Sequence, residues 1–257
     1  MSRSRHPRPT SRELGQHFLS DARRAQAIVA DAGTQHPCTD RLVLEIGPGG
    51  GALTRPLLDA GYRVLAVERD GRLARALRLD PRLQVVHADA RDHPLPMQPF
   101  VVVANLPFAA TTAVLRRLCG ALEAGFSGAT LLVEAAYARK RVGRWGGSLL
   151  TAQWSPWVTF TLGPTVSRHA FRPRPRVDAA VLHIHPRTDP LVAPAQRDDY
   201  QRFTRAAFEG RGDTVRRALT HAEPQLRQRL RRAPVPLERR AKDLSAHDWA
   251  RLWTWCR

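Results

Sequence analysis

Asn105-Leu106-Pro107-Phe108 sets an amide, a proline-fixed turn and an aromatic ring side by side, directly behind the apolar run Phe100-Val101-Val102-Val103-Ala104. Such a run reads as a strand buried on both faces. The tetrapeptide then lies at a strand's C-terminal end, where open α/β sheets place their ligands. Its groups suit a flat exocyclic amine. The amino nitrogen of adenine is a poor nucleophile because its lone pair is delocalised into the ring. Two acceptors on its two hydrogens could localise that pair and aim it at a methyl group. The Asn105 side-chain oxygen is one candidate. The Leu106 carbonyl is the other, since a residue before proline is confined to extended geometry. Phe108 offers a ring face to the base. The chemistry implied is methyl transfer onto an adenine. It needs no strong general base, because positioning supplies much of the acceleration. Ser-His-Asp and paired-carboxylate schemes find no support in the chain.

A donor site is legible upstream. Glu45-Ile46-Gly47-Pro48-Gly49-Gly50-Gly51 follows an apolar strand and opens a helix. Glycines there let the backbone approach a ligand closely. Taken alone, Gly47-x-Gly49-x-x-Ala52 also satisfies the looser dinucleotide-binding pattern. Glu68 ends the next strand, where an acid would grip ribose hydroxyls for either ligand class. Asp89, followed by Ala90, ends the third and breaks the tie. A carboxylate there can accept a hydrogen bond from the amino group of a cofactor's adenine. Gly47, Glu68 and Asp89 on successive strand ends describe a groove for a nucleoside that carries an amino-acid tail.

The elements that must hold these residues alternate. Strands are expected over 42–46, 64–67, 83–86, 100–104 and 129–133, and helices over 21–33, 51–60, 70–79 and 111–123. Apolar runs at 157–162 and 179–184 read as a late antiparallel pair. The fold class is α/β: a Rossmann-like, mostly parallel, doubly wound sheet. After Pro186 the strand pattern ends. Segments 196–209, 212–222, 224–232 and 245–255 have helical spacing and basic faces. The expected organisation is a basic disordered arm over 1–13, a catalytic domain over 14–186 and a small all-α RNA-binding domain over 187–257.

Charge points to the partner. The net +18 is uneven: residues 26–138 hold 11 basic and 11 acidic side chains, whereas 139–176 hold 8 basic and no acidic ones. Coding bias can explain arginine in place of lysine but not the missing acids. A polyanion such as nucleic acid is the expected partner. Three scattered cysteines, Cys38, Cys119 and Cys256, suggest neither a disulfide framework nor a zinc site, so no metal is expected and a reducing cytoplasm fits. No stretch is long and apolar enough to span a membrane, and the first residues lack the apolar core of an export signal.

Gly15-Gln16-His17-Phe18-Leu19, Glu45-x-Gly47-x-Gly49, Glu68, Asp89 and Asn105-Leu106-Pro107-Phe108 together resemble the rRNA adenine N6-methyltransferases that use S-adenosylmethionine. The resemblance runs in order along nearly the whole chain. It implies that His17 and Leu19 close over the methionine end of the cofactor, with Gly47, Gly49, Glu68, Asp89, Ala90 and Asn105 contacting it elsewhere. His17 replaces an asparagine frequent in the family, and Phe108 a tyrosine. Phe171-Arg172-Pro173-Arg174-Pro175-Arg176-Val177 resembles the family's Phe-x-Pro-x-Pro-x-Val segment. It implies that Phe171 covers the flipped base from its other side and that Arg172 and Arg174 face phosphates.

Two branches share this core. One methylates small-subunit rRNA; the erythromycin-resistance (Erm) type methylates an adenine of 23S rRNA at the drug site in the exit tunnel. Tyr137-Ala138-Arg139-Lys140-Arg141, Trp154-Ser155-Pro156-Trp157 and Phe208-Glu209-Gly210-Arg211-Gly212 resemble segments of the Erm branch. Arg139, Lys140, Arg141 and Arg144 are then expected to contact RNA. The reading is an Erm-type enzyme giving macrolide, lincosamide and streptogramin B resistance, as self-protection of an antibiotic producer. It is expected to act as a monomer on naked or partly assembled large-subunit RNA. The alternatives are the small-subunit dimethylase, an RNA-binding relative without chemistry, and a nicotinamide oxidoreductase. The last gives no role to Pro107, Phe171 or the basic clusters.

Overall fold

The computed structural model describes residues 17–37, 42–77, 80–142 and 147–257. The basic arm over 1–13, Gly15, Gln16, Cys38 and Arg144 lie outside the described residues. Strands and helices follow in the order β1 (Phe18–Leu19), α1 (Ala22–Gln35), β2 (Leu42–Ile46), α2 (Thr54–Asp59), β3 (Arg63–Glu68), α3 (Gly71–Ala76), β4 (Leu83–His87), β5 (Phe100–Asn105), α4 (Thr111–Gly120) and β6 (Phe126–Glu134). There follow α5 (Ala135–Val142), α6 (Leu149–Trp154), β7 (Val158–Val166), β8 (Phe171–Arg172), β9 (Ala179–Pro186), α7 (Arg197–Glu209), α8 (Val215–Ala222), α9 (Arg227–Arg231) and α10 (Ala246–Cys256). None of the described helices is long and apolar enough to cross a membrane.

A seven-stranded sheet has the order β4-β3-β2-β5-β6-β9-β7. The pairings β2–β3, β3–β4, β2–β5 and β5–β6 are all parallel. The chain winds outward from β2 through β3 to β4, then returns to the other side of β2 with β5. That reversal opens a crevice between the C-terminal ends of β2 and β5, the place where such sheets bind ligands. Central strands are apolar because both faces are covered: Phe100, Val101, Val102, Val103 and Ala104 are all buried. The helix expected over 51–60 begins only at Thr54, because the glycine turn takes up the residues before it.

Contacts divide the chain into two units. Residues up to Ala135 together with Gly163–Val181 form one, and Ala136–Leu162 with Leu182–Arg257 form the other. In the first unit α1 is capped by Asp21, whose carboxylate accepts from the Arg24 N–H at 3.1 Å. Its buried Ala25, Ile28, Val29 and Ala32 follow one helical stripe into the core. A separate antiparallel pair, β1 with β8, sets Phe18 opposite Arg172 and Leu19 opposite Phe171.

In the second unit Tyr200 is fully buried, edge-on to Trp157 at 5.4 Å and to Trp253 at 6.0 Å. Its hydroxyl donates to the Ala152 carbonyl at 2.9 Å. These contacts tie α6 to α7. The division by contacts falls elsewhere than the boundary expected near 187. The Trp154 and Trp157 rings meet edge-to-face at 6.3 Å within this aromatic core.

Candidate active site

The turn after β2 is built by its glycines. Gly47 and Gly49 have φ of +66° and +57°, which side chains with a Cβ rarely adopt. The Gly47 N–H donates to the Val67 carbonyl at 2.9 Å, fastening the turn to β3. A Cβ on Gly49 would lie 2.7 Å from the Phe18 ring, whereas one on Gly47 would project into open space. The turn thus packs against β1 at one glycine and exposes its backbone to the crevice at the other.

Two acids stand beside this turn. Glu68 is buried and accepts the Gly49 N–H at 3.0 Å on one oxygen and the Asp70 N–H at 2.8 Å on the other. Each oxygen keeps acceptor capacity for a ligand hydroxyl. Glu45, inside β2, accepts the Thr54 hydroxyl at 2.7 Å. Burial pushes its carboxyl up to about 8, with the Glu68 charge adding in the same direction.

At the end of β5 the Asn105 amide donates from Nδ2 to the His17 carbonyl at 2.9 Å. A carbonyl only accepts, so this bond fixes which way the amide points. Oδ1 is left with no partner among the described residues. The His17 ring is held in turn, donating from Nδ1 to the Pro173 carbonyl at 2.8 Å. Leu106 donates its N–H to the Leu132 carbonyl at 3.1 Å. The Pro107 carbonyl accepts the Ala110 N–H at 2.9 Å and the Thr111 hydroxyl at 3.3 Å. The Leu106 carbonyl has no such partner among the described residues. Two acceptors, Asn105 Oδ1 and Leu106 O, therefore remain without a partner among the described residues, at adjacent positions that line one cavity. The Phe108 ring lies beside them, 5.9 Å from the His17 ring.

The crevice has three parts, and Gly47 lines all of them. A cavity of about 660 Å³ lies along the ends of β3 and β4, walled by Glu68, Asp89, Ala90 and Pro107. A second of about 290 Å³ is lined by Phe18, Leu19, Glu45, Leu53 and Asn105. A narrow gap of about 30 Å³ between His17, Asn105 and Phe108 completes the groove. The larger cavity suits a nucleoside and the smaller an amino-acid tail.

Asp89 is engaged. Arg91 donates to it from Nε at 3.0 Å, from a terminal nitrogen at 2.7 Å and from its backbone N–H at 2.9 Å. Arg69 adds an ion pair at 3.8 Å. The Arg91 guanidinium holds the Asp89 carboxyl down at about 2. To accept from an adenine amine, Asp89 must share or exchange the Arg91 fork, a condition the sequence did not reveal. The following loop is pinned from α4, where Arg117 donates to the Ala90 and His93 carbonyls.

The family model for "Ribosomal RNA adenine dimethylase" matches residues 9–257. The chain belongs to this family. It is 40% identical over 203 residues to an rRNA adenine N-6-methyltransferase of Corynebacterium diphtheriae, covering 78% of each chain. It is 38% identical over 247 residues to the mycinamicin-resistance protein MyrB of Micromonospora griseorubida, covering 94% of this chain and 77% of the relative. Among solved structures, that of the 23S rRNA methyltransferase ErmE superposes with a TM-score of 0.78 at 31% identity, covering 93% of this chain and 98% of that one.

Membership explains the residues that converge on the crevice: His17, Leu19, Gly47, Gly49, Glu68, Asp89, Ala90 and Asn105 to Phe108 all line it. The structure places two of the expected RNA residues away from the crevice. Phe171 lines none of the three cavities and is fully buried in the core with Leu19, Ile28 and Val29. Hiding a whole phenyl ring from water is worth about 2–3 kcal/mol, and β8 turns it inward. Arg141 is not a free RNA contact either. It is 8% exposed, stacked 4.1 Å over the Tyr137 ring, and donates to the Ser148 hydroxyl at 2.5 Å. Arg139, Lys140, Arg172 and Arg174 are exposed.

The sequence motifs included Phe18 and Glu45 without giving them a role, and they left out Arg91 and Arg117. The signal for Phe18 was its place between His17 and Leu19, both expected at the crevice. Arg91 and Arg117 carried no pattern to find.

Proposed function

We propose that this protein transfers a methyl group from S-adenosylmethionine to the N6 amine of one adenine in 23S rRNA, at the exit tunnel near the peptidyl transferase centre. The modification would protect the ribosome from macrolides, lincosamides and streptogramin B. The observation that carries the reading is a pair of acceptors beside the crevice, Asn105 Oδ1 and Leu106 O, left without partners among the described residues on a side chain and a backbone already fastened by other bonds. Preorganised groups cost no reorganisation when the amine arrives. They accept its two hydrogens and turn its lone pair toward the gap between His17, Asn105 and Phe108. Phe108 supports the base by its ring face.

The residues present fit the cofactor. Glu68 would hold ribose hydroxyls, Asp89 the adenine amine, and the Gly47 backbone leaves room for close approach. Leu19 and Phe18 would flank the methionine end. S-adenosylmethionine supplies a methyl made electrophilic by a sulfonium. As the attacked nitrogen gives up its lone pair it grows more acidic, so its proton can leave to solvent without a dedicated base.

A mycinamicin-resistance relative and a 23S rRNA methyltransferase structure support the large-subunit address. We read the active form as a cytoplasmic monomer that meets naked or partly assembled 23S rRNA, before the adenine is enclosed. The test is incubation with labelled cofactor and separate 23S and 16S transcripts. Label entering 23S RNA alone is expected; label entering only 16S RNA would overturn the address.

A further inference from the structure

The half of the chain that is neutral by count gathers arginines at one place on its surface, while Asp59, Asp92 and Glu123 are exposed elsewhere along it. Among its acids, Glu45 and Glu68 are buried and Asp80 is paired with Arg82. Around the mouth of the 660 Å³ cavity four arginines gather: Arg69, Arg72, Arg75 and Arg91. The side chains of Arg69, Arg72 and Arg91 are 63%, 78% and 55% exposed. Two partly exposed carboxylates face them, and the exposed Asp92 lies near Arg91. Asp89 is taken by Arg91 and Arg69. Asp70 is committed to the Arg72 N–H at 2.7 Å, with the Arg72 guanidinium 3.9 Å away. Arg75 has no acidic partner among the described residues. Arg72 and Arg75 lie three residues apart on α3, whose buried residue is Ala74.

The backbone beneath this rim is fixed. Glu68 holds the Asp70 N–H, and the His87 ring bonds the Arg69 carbonyl at 3.1 Å and underlies Gly71. Only the side chains need ordering when a partner binds, which lowers the cost of recognition. S-adenosylmethionine carries net positive charge, so an arginine rim does not complement it. The rim complements an anion that crosses the cavity mouth.

We propose that Arg69, Arg72, Arg75 and Arg91 form a phosphate track for the RNA strand, separate from the basic segment at 139–176. The proposal rests on the RNA methyltransferase reading and adds to it a second contact surface. Phosphate contacts position a strand without reading its sequence.

The test compares wild type with R72A/R75A, and with the charge-reversed R72E/R75E. RNA affinity is measured at several salt concentrations and cofactor affinity by calorimetry. Removing two phosphate contacts should weaken RNA binding roughly tenfold at low salt and make the log–log salt slope shallower by about 1.4–1.8, since each contact contributes about 0.7–0.9. Charge reversal should weaken it further. Cofactor affinity should change less than about twofold. Variants that keep the wild-type slope and affinity overturn the track alone. Weaker cofactor binding with an unchanged RNA slope also overturns it, by giving the arginines to the cofactor. Salt-independent RNA binding by the wild type overturns both the track and the RNA reading.

Discussion

Asn105 is held by one end of its amide and works with the other. Replacing it with alanine removes an acceptor for the target amine and also frees the His17 carbonyl. The expected result is a fall in kcat of about 100-fold or more, the scale seen when one preorganised hydrogen bond is removed, with a smaller rise in KM for the cofactor. Steady-state kinetics on 23S transcripts reads both. Glu45 makes a different residue-scale prediction. Its carboxyl rises from the ordinary 4.5 to about 8 in the fold. The folded chain then keeps a proton that the unfolded chain releases, so this group's contribution to stability falls as pH rises from about 4.5 and levels off above about 8. Glu45→Gln, neutral at every pH, should remove that slope. Urea titrations between about pH 5 and 8 should show the variant gaining on wild type as pH rises, by up to about 1.4 kcal/mol per pH unit. A constant difference would mean that Glu45 is ionised in the fold.

At the scale of elements, the β1–β8 pair does most to complete the crevice. It sets Phe171 in the core opposite Leu19, while Phe18 packs on the Gly49 turn and the neighbouring His17 binds Pro173. Phe171→Ala should cost about 3–5 kcal/mol by chemical denaturation. Phe171→Leu should retain most stability and most methyl transfer, which a base-stacking role would not allow. The central strands and the tetrapeptide at the end of β5 were legible in the sequence, because strands covered on both faces must be continuously apolar. The two-residue strands β1 and β8 were not, since pairing across about 150 residues leaves no local period to detect. Arg141 misled for a related reason. A charge run looks uniform, yet one member of a helix can turn inward onto Tyr137 while Arg139 and Lys140 stay in water.

At the scale of the whole molecule, charge has to be weighed by exposure. A net +18 spread over neutral and basic segments suggested where RNA binds. Burial moves part of that assignment, taking Arg141 out of it. Arg139→Ala with Lys140→Ala should weaken RNA binding and flatten its salt dependence without lowering the melting temperature. Arg141→Ala should do the reverse, lowering stability by about 1–2 kcal/mol through the lost ring stack and hydrogen bond. Thermal melts beside RNA titrations separate the two. The central claim is most directly tested by mass spectrometry of ribosomal RNA from cells carrying the wild-type protein, the Asn105→Ala variant or neither. The account predicts a methylated adenine at the exit-tunnel drug site of 23S rRNA with the wild type alone. Methylation confined to 16S rRNA, or 23S methylation that persists with Asn105→Ala, would contradict it.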